Sequence, residues 1–126
     1  MRYWNLDVCR LIQEYPQILQ TLRTIQHQIE LADKMIETPI EGRRGEWMAF
    51  KKILELREAE FACYVNMVKS GLQDLPEIER EVLIMWLQDG KSDDYIIEHL
   101  CIKSRAELKK IRQIALAKFC KIAMPD

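Results

Sequence analysis

Apolar residues recur at every third or fourth position along most of this chain, and the strict alternation typical of strands is almost absent. This periodicity places an apolar stripe along each of several helices, so the sequence predicts an all-α protein. One stripe runs from Tyr3 to Glu37, and a second begins at Glu46 and stops at Ser70-Gly71. The pattern therefore predicts two long helices in the first half of the chain.

The break between these helices is marked by loop-forming residues. The segment from Thr38 to Gly45 contains a proline, two glycines and several charges, and is the only long loop that the sequence indicates. Pro16 lacks an amide donor, so a kink or a break is expected in the first helix near Glu14 to Tyr15. Two long helices joined by one loop are expected to pack antiparallel, as a helical hairpin over residues 1–70.

Two helices alone cannot cover both of these wide stripes. Either the C-terminal part of the chain folds back on them, or a second copy of the chain does. Part of the first stripe has a spacing that suits a coiled-coil seam and equally suits an intramolecular core. Its members are Ile18, Leu22, Ile25, Ile29, Ala32 and Ile36.

Residues 71–126 contain start signals for three further helices. Pro76 suits a first helical position, and Asp89-Gly90 closes that helix about three turns later. Ser92 caps a short second helix, with two aspartates next to its positive N-terminal end. After a tight connection, Ser104 opens a long third helix to Ile122 by forming a capping box with Glu107. This order of helices predicts a helix-turn-helix unit.

Charge is segregated along this half of the chain. Lys103 to Lys121 contains seven basic residues and only Glu107 as an acid, whereas Gly71 to Ile102 contains two basic residues and eight acids. The formal net charge of −1 over 126 residues hides this segregation. A polyanion would meet a positive third helix, which is where a helix-turn-helix protein places its reading helix.

Several short segments of this half together form a recognisable pattern: Leu75-Pro76, Glu79 to Leu83, Asp89 to Ser92, Ile96, Leu100 to Ser104 and Ala115-Leu116. These residues resemble the region-4 helix-turn-helix of bacterial sigma factors. With the helical front half, the chain is similar to small phage-encoded transcriptional regulators of the ArpU and RinA type. Two positions depart from the family pattern: Ile97 replaces a small residue, and Cys101 replaces the glycine of the turn, which predicts a splayed turn.

The resemblance implies a sequence-specific, DNA-binding regulator of transcription with a three-helix helix-turn-helix module over residues 71–126. Double-stranded DNA is the expected partner, with RNA polymerase as a second one. A homodimer is also expected, since small helix-turn-helix proteins often read paired half-sites. The rival hypothesis is a helical interaction module that binds RNA polymerase or a host protein rather than DNA.

The candidate DNA-binding residues lie on the third helix, facing away from the stripe made by Leu108, Ile111, Ala115 and Phe119. Arginine and lysine contact guanine edges or phosphates, while glutamine and glutamate read adenine or cytosine. The alternative interpretation is a solvated basic face, common on helical bundles. The residues predicted to face bases are Arg105, Ala106, Lys109 and Lys110, with Glu107 and Gln113 beside them; those predicted to hold the phosphate backbone are Lys103, Arg112 and Lys118.

Other kinds of chemistry find little support in the sequence. Glu77 and Glu81 stand one turn apart, the spacing of paired catalytic carboxylates, but no histidine, serine nucleophile or glycine-rich phosphate loop accompanies them. Neither enzymatic activity nor a cofactor is therefore expected. The four cysteines lie far apart, which disfavours a metal site, and we interpret them as buried or half-buried small hydrophobes. The longest apolar run, Val82 to Leu87, is far short of the roughly 18 residues of a membrane span, and no signal peptide is recognisable, so a cytoplasmic location is expected.

Overall fold

The computed structural model describes residues 7–37 and 42–124, and all regular structure in these ranges is helical. The prediction of an all-α protein is confirmed. The expected helix start at Tyr3 and the loop residues 38–41 lie outside the described residues. No helix in the described ranges is long and apolar enough to cross a membrane. The helices are α1 (Val8–Glu37), α2 (Arg44–Gln73), α3 (Glu77–Leu83), α4 (Asp93–Leu100) and α5 (Arg105–Ala123).

Helix α1 is continuous and contains Pro16 in its interior. The break that was one alternative near Tyr15 is therefore wrong, and the other alternative, a kink, stays a prediction. Proline cannot donate to the carbonyl of Ile12, which costs about 3 kcal/mol in a helix interior. Burial of apolar side chains offsets this cost, because each fully buried leucine or isoleucine contributes about 1.5–3 kcal/mol. Such residues occur on both sides of the proline: Leu11, Ile12, Leu22 and Ile25 are all buried.

Helix α2 runs through Ser70-Gly71, where the sequence predicted its end. That prediction is wrong because Gly71 serves packing rather than helix termination. A Cβ atom at this position would lie 2.4 Å from Cε2 and 2.5 Å from Cδ2 of the Phe119 ring. Glycine therefore allows the ring of α5 to lie directly on the backbone of α2, and the helix continues for two more residues.

The chain divides into two compact units. The middle unit is Gln17–Val65, and the terminal unit combines residues 1–16 with residues 66–126. Within α1 the division falls directly after Pro16. The compact units thus divide at residues 16 and 65, whereas the sequence placed a single boundary at residue 70.

The middle unit buries Leu22, Ile25 and Ala32 of α1 together with Leu54 and Val65 of α2. The ammonium of Lys51 on α2 lies 2.6 Å from the carboxylate of Asp33 on α1, and this hydrogen bond raises the pKa of Lys51. Three of the six residues proposed for a coiled-coil seam are therefore buried inside the chain itself.

The terminal unit has the larger core. Helices α3, α4 and α5 converge on a cluster whose members lie on all three helices and on the connection after α4. Phe119 and Ala115 extend the buried surface along α5. The cluster consists of Val82, Met85, Ile96, Ile102 and Leu108, with Trp86, Ile97, Leu100 and Ile111 packed against it.

Helix α3 is followed directly by a π-helical segment, Ile84–Gln88. The amide of Asp89 donates to the carbonyl of Ile84, five residues back, at 3.0 Å. Gly90 then takes a left-handed φ of +64°, so the predicted end at Asp89-Gly90 is confirmed. The π segment itself was not predicted. It adds one residue to the turn that carries Trp86, and thereby changes the direction in which this side chain points.

Candidate nucleic-acid interface

The start of α5 is fixed by the predicted serine cap. The Ser104 hydroxyl oxygen accepts a hydrogen bond from the Glu107 amide at 3.2 Å. The returning half of the capping box differs from the prediction, because Glu107 accepts from the amide of Lys103, at 3.2 Å, rather than from that of Ser104. The Glu107 carboxylate is thus engaged at the helix start, and reading a base would require it to leave this bond.

The connection from α4 to α5 is short and closed by backbone hydrogen bonds. Cys101 caps α4 with φ 57° and ψ 41°, in the left-handed region that glycine favours. The amide of Ile102 donates to the carbonyl of Ile97 at 2.9 Å, as in a Schellman motif, and the Ile102 side chain enters the core. The turn is therefore not splayed: Cys101 takes the strained conformation itself. Its side chain is exposed, so the interpretation of Cys101 as a buried hydrophobe is wrong.

The outward face of α5 carries four of the predicted DNA-binding residues. Ala106, Lys109, Lys110 and Gln113 are all exposed, and their spacing of three, four and seven residues puts them on one face. Lys103, just before the helix, is exposed as well. Among the described residues, none of these three lysine side chains has an ion-pair partner. This face is polar, positive and accessible.

The flank of α5 nearest α4 is held by two ion pairs. Arg105 Nη2 lies 2.8 Å from Asp94 Oδ1, and this hydrogen bond raises the pKa of Arg105. Arg112 bonds Asp93, and its guanidinium lies 4.5 Å from the Trp86 ring centroid. The hydrogen bond from Arg112 lowers the pKa of Asp93, while partial desolvation opposes the shift. These contacts link α4, α5 and the π segment.

Arg112 is not placed as a phosphate contact would require. Its side chain is only 16% exposed, between Asp93 and Trp86, and its Nε atom is buried without a hydrogen-bond partner. A cation over an indole ring and beside a carboxylate is stabilised where it is. The predicted phosphate role of Arg112 therefore conflicts with its position, because the guanidinium is committed to the interior of the unit.

The opposite flank of α5 contacts α3. Lys118 Nζ lies 3.0 Å from Glu79 Oε2, and the Glu79 side chain is only 12% exposed. Of the seven basic residues between Lys103 and Lys121, three are thus neutralised by acids of the same unit: Arg105, Arg112 and Lys118. The remaining cations of the segment are Lys103, Lys109, Lys110 and Lys121.

Some features of this surface were missed in the sequence. Lys91 lies 4.9 Å from the Tyr95 ring centroid, and the Tyr95 and His99 rings stack at 5.6 Å. The spacing of four residues between these three positions was the available signal. By contrast, Asp93 and Asp94 read as helix-capping acids, and no local pattern shows that they pair with arginines 19 and 11 residues away.

The described residues also bear on two other kinds of chemistry, metal binding and thiol reactivity. Among the residues in the described ranges, no group of three His, Cys, Asp or Glu side chains is placed to hold a metal ion. Burial raises the pKa of the Cys9 thiol and of the Cys120 thiol, which makes both poorer nucleophiles at neutral pH.

No protein-family model, curated protein or solved structure matches this chain. The functional proposal therefore depends on the geometry of α4 and α5 together with the sequence pattern.

Proposed function

We propose that this chain is a sequence-specific DNA-binding regulator of transcription. In this proposal α4, the turn after it and α5 form a helix-turn-helix unit, and α1 and α2 form a helical hairpin. The observation that carries the proposal is the outward face of α5, which is exposed and positive and begins in the first turn of that helix. A helix-turn-helix protein presents this part of its second helix to base edges in the major groove.

Individual side chains suit distinct contacts. Lys109 and Lys110 can approach guanine edges or phosphates, Gln113 suits adenine, and Ala106 leaves room for a thymine methyl group. Lys103 lies at the start of the helix and suits a phosphate. Arg105 joins them when it exchanges Asp94 for DNA, since an exposed ion pair contributes little, on the order of 0–1 kcal/mol.

The flanking ion pairs support the same proposal in a different way. Arg112 with Asp93, and Lys118 with Glu79, link α5 to α4 and to α3. A reading helix must keep its orientation relative to the helix that precedes it, because base contacts tolerate little displacement. These cations hold the reading helix in place rather than contacting DNA.

A second candidate function is recognition of a protein such as RNA polymerase. The neutralisation of Arg105, Arg112 and Lys118 favours it, because fewer cations remain to attract a polyanion. The two functions differ in their salt dependence. Each phosphate contact contributes about −0.9 to the slope of log affinity against log salt, so three lysines predict roughly −3 per chain.

The test measures binding of the full chain to duplex DNA from its own upstream region, by fluorescence anisotropy at several salt concentrations. K109A/K110A is expected to weaken binding by about tenfold or more and to make the salt slope shallower by roughly 2. The matched control is K52A/K69A, which removes two exposed lysines from α2 and should change neither quantity. Absence of DNA binding even at low salt, together with co-purification of a protein partner, would establish the second candidate instead.

A further inference from the structure

One face of α2 in the middle unit carries a heptad pattern that the core does not use. The spacing between successive positions alternates between three and four residues, which gives the repeat of 3.5 residues found in a coiled-coil seam. Every position is exposed, with Phe50 at 42% and Ile53 at 56%. The α2 seam consists of Glu46, Phe50, Ile53, Arg57 and Glu60 on the helix, together with Arg43, which directly precedes it.

The charged members of the α2 seam lack ion-pair partners of their own. Among the described residues, no ion pair involves Arg43, Glu46 or Arg57, and Glu60 lies within hydrogen-bonding reach of Tyr64 on the next turn. Exposed aromatic and branched side chains at adjacent seam positions, flanked by unpaired charges of both signs, are typical of a surface that packs against another helix.

The seam is complementary to its own reversed copy. When a second α2 runs antiparallel with its centre midway between residues 51 and 52, Phe50 meets Ile53, Glu46 meets Arg57, and Arg43 meets Glu60. The two central layers are apolar, and each outer layer joins opposite charges. An isologous two-fold interface requires this self-complementarity, whereas a surface for an unrelated partner does not.

We infer that the α2 seam is the face on which a second copy of this chain packs, antiparallel and about a two-fold axis between residues 51 and 52. In the sequence, one stripe on α1 suited either a seam between two chains or an intramolecular core, and Leu22, Ile25 and Ala32 of that stripe are buried within the chain. The α2 seam is an accessible alternative. This inference does not depend on what α5 binds.

A shallow groove at one end of the α2 seam also fits a second copy of the chain. Trp47 and Phe50 pack edge to face, with ring centroids 6.0 Å apart, and together with Arg43 and Glu46 they line a shallow groove. In the antiparallel pairing, Ile53 and the aliphatic part of Arg57 from the second copy lie over this groove. An arginine side chain covers apolar surface with its stem while its guanidinium pairs with a carboxylate.

Charge exchange between two variants tests the pairing directly. In an antiparallel homodimer, residue 46 of each chain meets residue 57 of the other. E46R therefore places two arginines in each of these two layers, and R57E places two glutamates there. Each variant alone is expected to raise the dimer Kd by roughly tenfold, since two symmetric ion pairs become two repulsions. Mixing E46R with R57E restores opposite charges in both layers, so the mixture is expected to form a heterodimer with about wild-type affinity.

Sedimentation equilibrium of the full chain at micromolar to submillimolar concentrations measures these affinities, and circular dichroism verifies that each variant is folded. I53E is expected to weaken the dimer by more than tenfold, because it buries a carboxylate against Phe50 of the second copy. The matched control is M48E, at a residue of α2 that is 48% exposed and lies on the opposite side of the helix from the seam, and it should leave association unchanged. Three results would overturn the inference: a monomeric wild-type chain, single charge variants that dimerise normally, or a mixture that fails to associate.

Discussion

The two compact units differ in the burial of their apolar side chains and in the ion pairs between their helices. All of the largest fully buried side chains in the described ranges, from Ile12 to Phe119, lie in the terminal unit, and three ion pairs connect α5 to α3 and α4 there. In the middle unit, Lys51 and Asp33 form an ion pair between the helices, and the apolar side chains of Ile53 and Leu56 are more than half accessible. The terminal unit therefore has the better-buried apolar core of the two, whereas the middle unit exposes several large apolar side chains on α2.

In the proposed function, this difference assigns one task to each unit. A helix that reads DNA has to be immobilised from behind while its front remains polar, and the ion pairs on both flanks of α5 meet that requirement. A surface that joins two chains has to leave apolar side chains accessible in the single chain, and the α2 seam does so. The two units differ because the ion pairs of α5 form within the terminal unit, whereas the apolar side chains of the α2 seam stay exposed in the middle unit.

The difference in packing between the two units can be tested first at glycine, because α2 carries one glycine in each unit. Gly71→Ala forces a methyl group into the Phe119 ring and is expected to lower the free energy of unfolding by about 1–3 kcal/mol. Gly45→Ala meets open space and should be neutral or stabilising by up to about 1 kcal/mol, as expected of alanine in a helix. Urea unfolding followed by circular dichroism measures both. Equal effects at the two sites would contradict the close packing of Phe119 on α2.

A second substitution, with a smaller expected effect on stability, tests the left-handed backbone of the turn before α5. Cys101→Gly removes the Cβ atom from a left-handed residue and is expected to stabilise the chain by about 1 kcal/mol. Cys101→Ala is the matched control, since it removes the thiol but retains the Cβ atom, and it should bring no gain. Thermal unfolding under reducing conditions compares the two variants with wild type. A gain from alanine equal to that from glycine would show that the thiol, not the backbone, is the cause.

The smallest expected effect concerns the ion pair behind α5. Because Arg112 holds the pKa of Asp93 below its ordinary value, the native chain resists protonation of this carboxylate more than the unfolded chain does. The contribution to stability is present above the unfolded-state pKa of about 4 and is lost as pH falls through the lower native pKa.

Asp93→Asn tests this linkage. The difference in unfolding free energy between wild type and variant should shrink as the pH falls from neutral to below about 4. Asp74→Asn, at an exposed aspartate without an ion pair in the described ranges, is the control and should show no comparable narrowing. A difference that stays constant over this pH range would mean that the Arg112 contact adds nothing to folding.

Much of the local structure followed from the sequence because local chemistry decides it. Ser92 and Ser104 cap their helices as predicted, since a hydroxyl next to free amides acts within three residues. Gly90 ends its helix for a similarly local reason. The break predicted at Pro16 and the helix end predicted at Gly71 were wrong, since each rested on the intrinsic preference of one residue while packing of neighbouring side chains determined the outcome. The ion pairs of Arg105, Arg112 and Lys118 were not predictable, because no pattern relates residues so far apart in the chain.

By itself, the sequence determined that the chain is helical, where most helices begin, and that positive charge gathers on the last of them. Backbone propensity, capping and periodicity act over a few residues and are written directly in the order of side chains. Only the tertiary structure decided which cations on α5 are committed to Asp93, Asp94 and Glu79, and which apolar stripe remains exposed. Those outcomes depend on distances between residues remote in sequence, which packing alone sets.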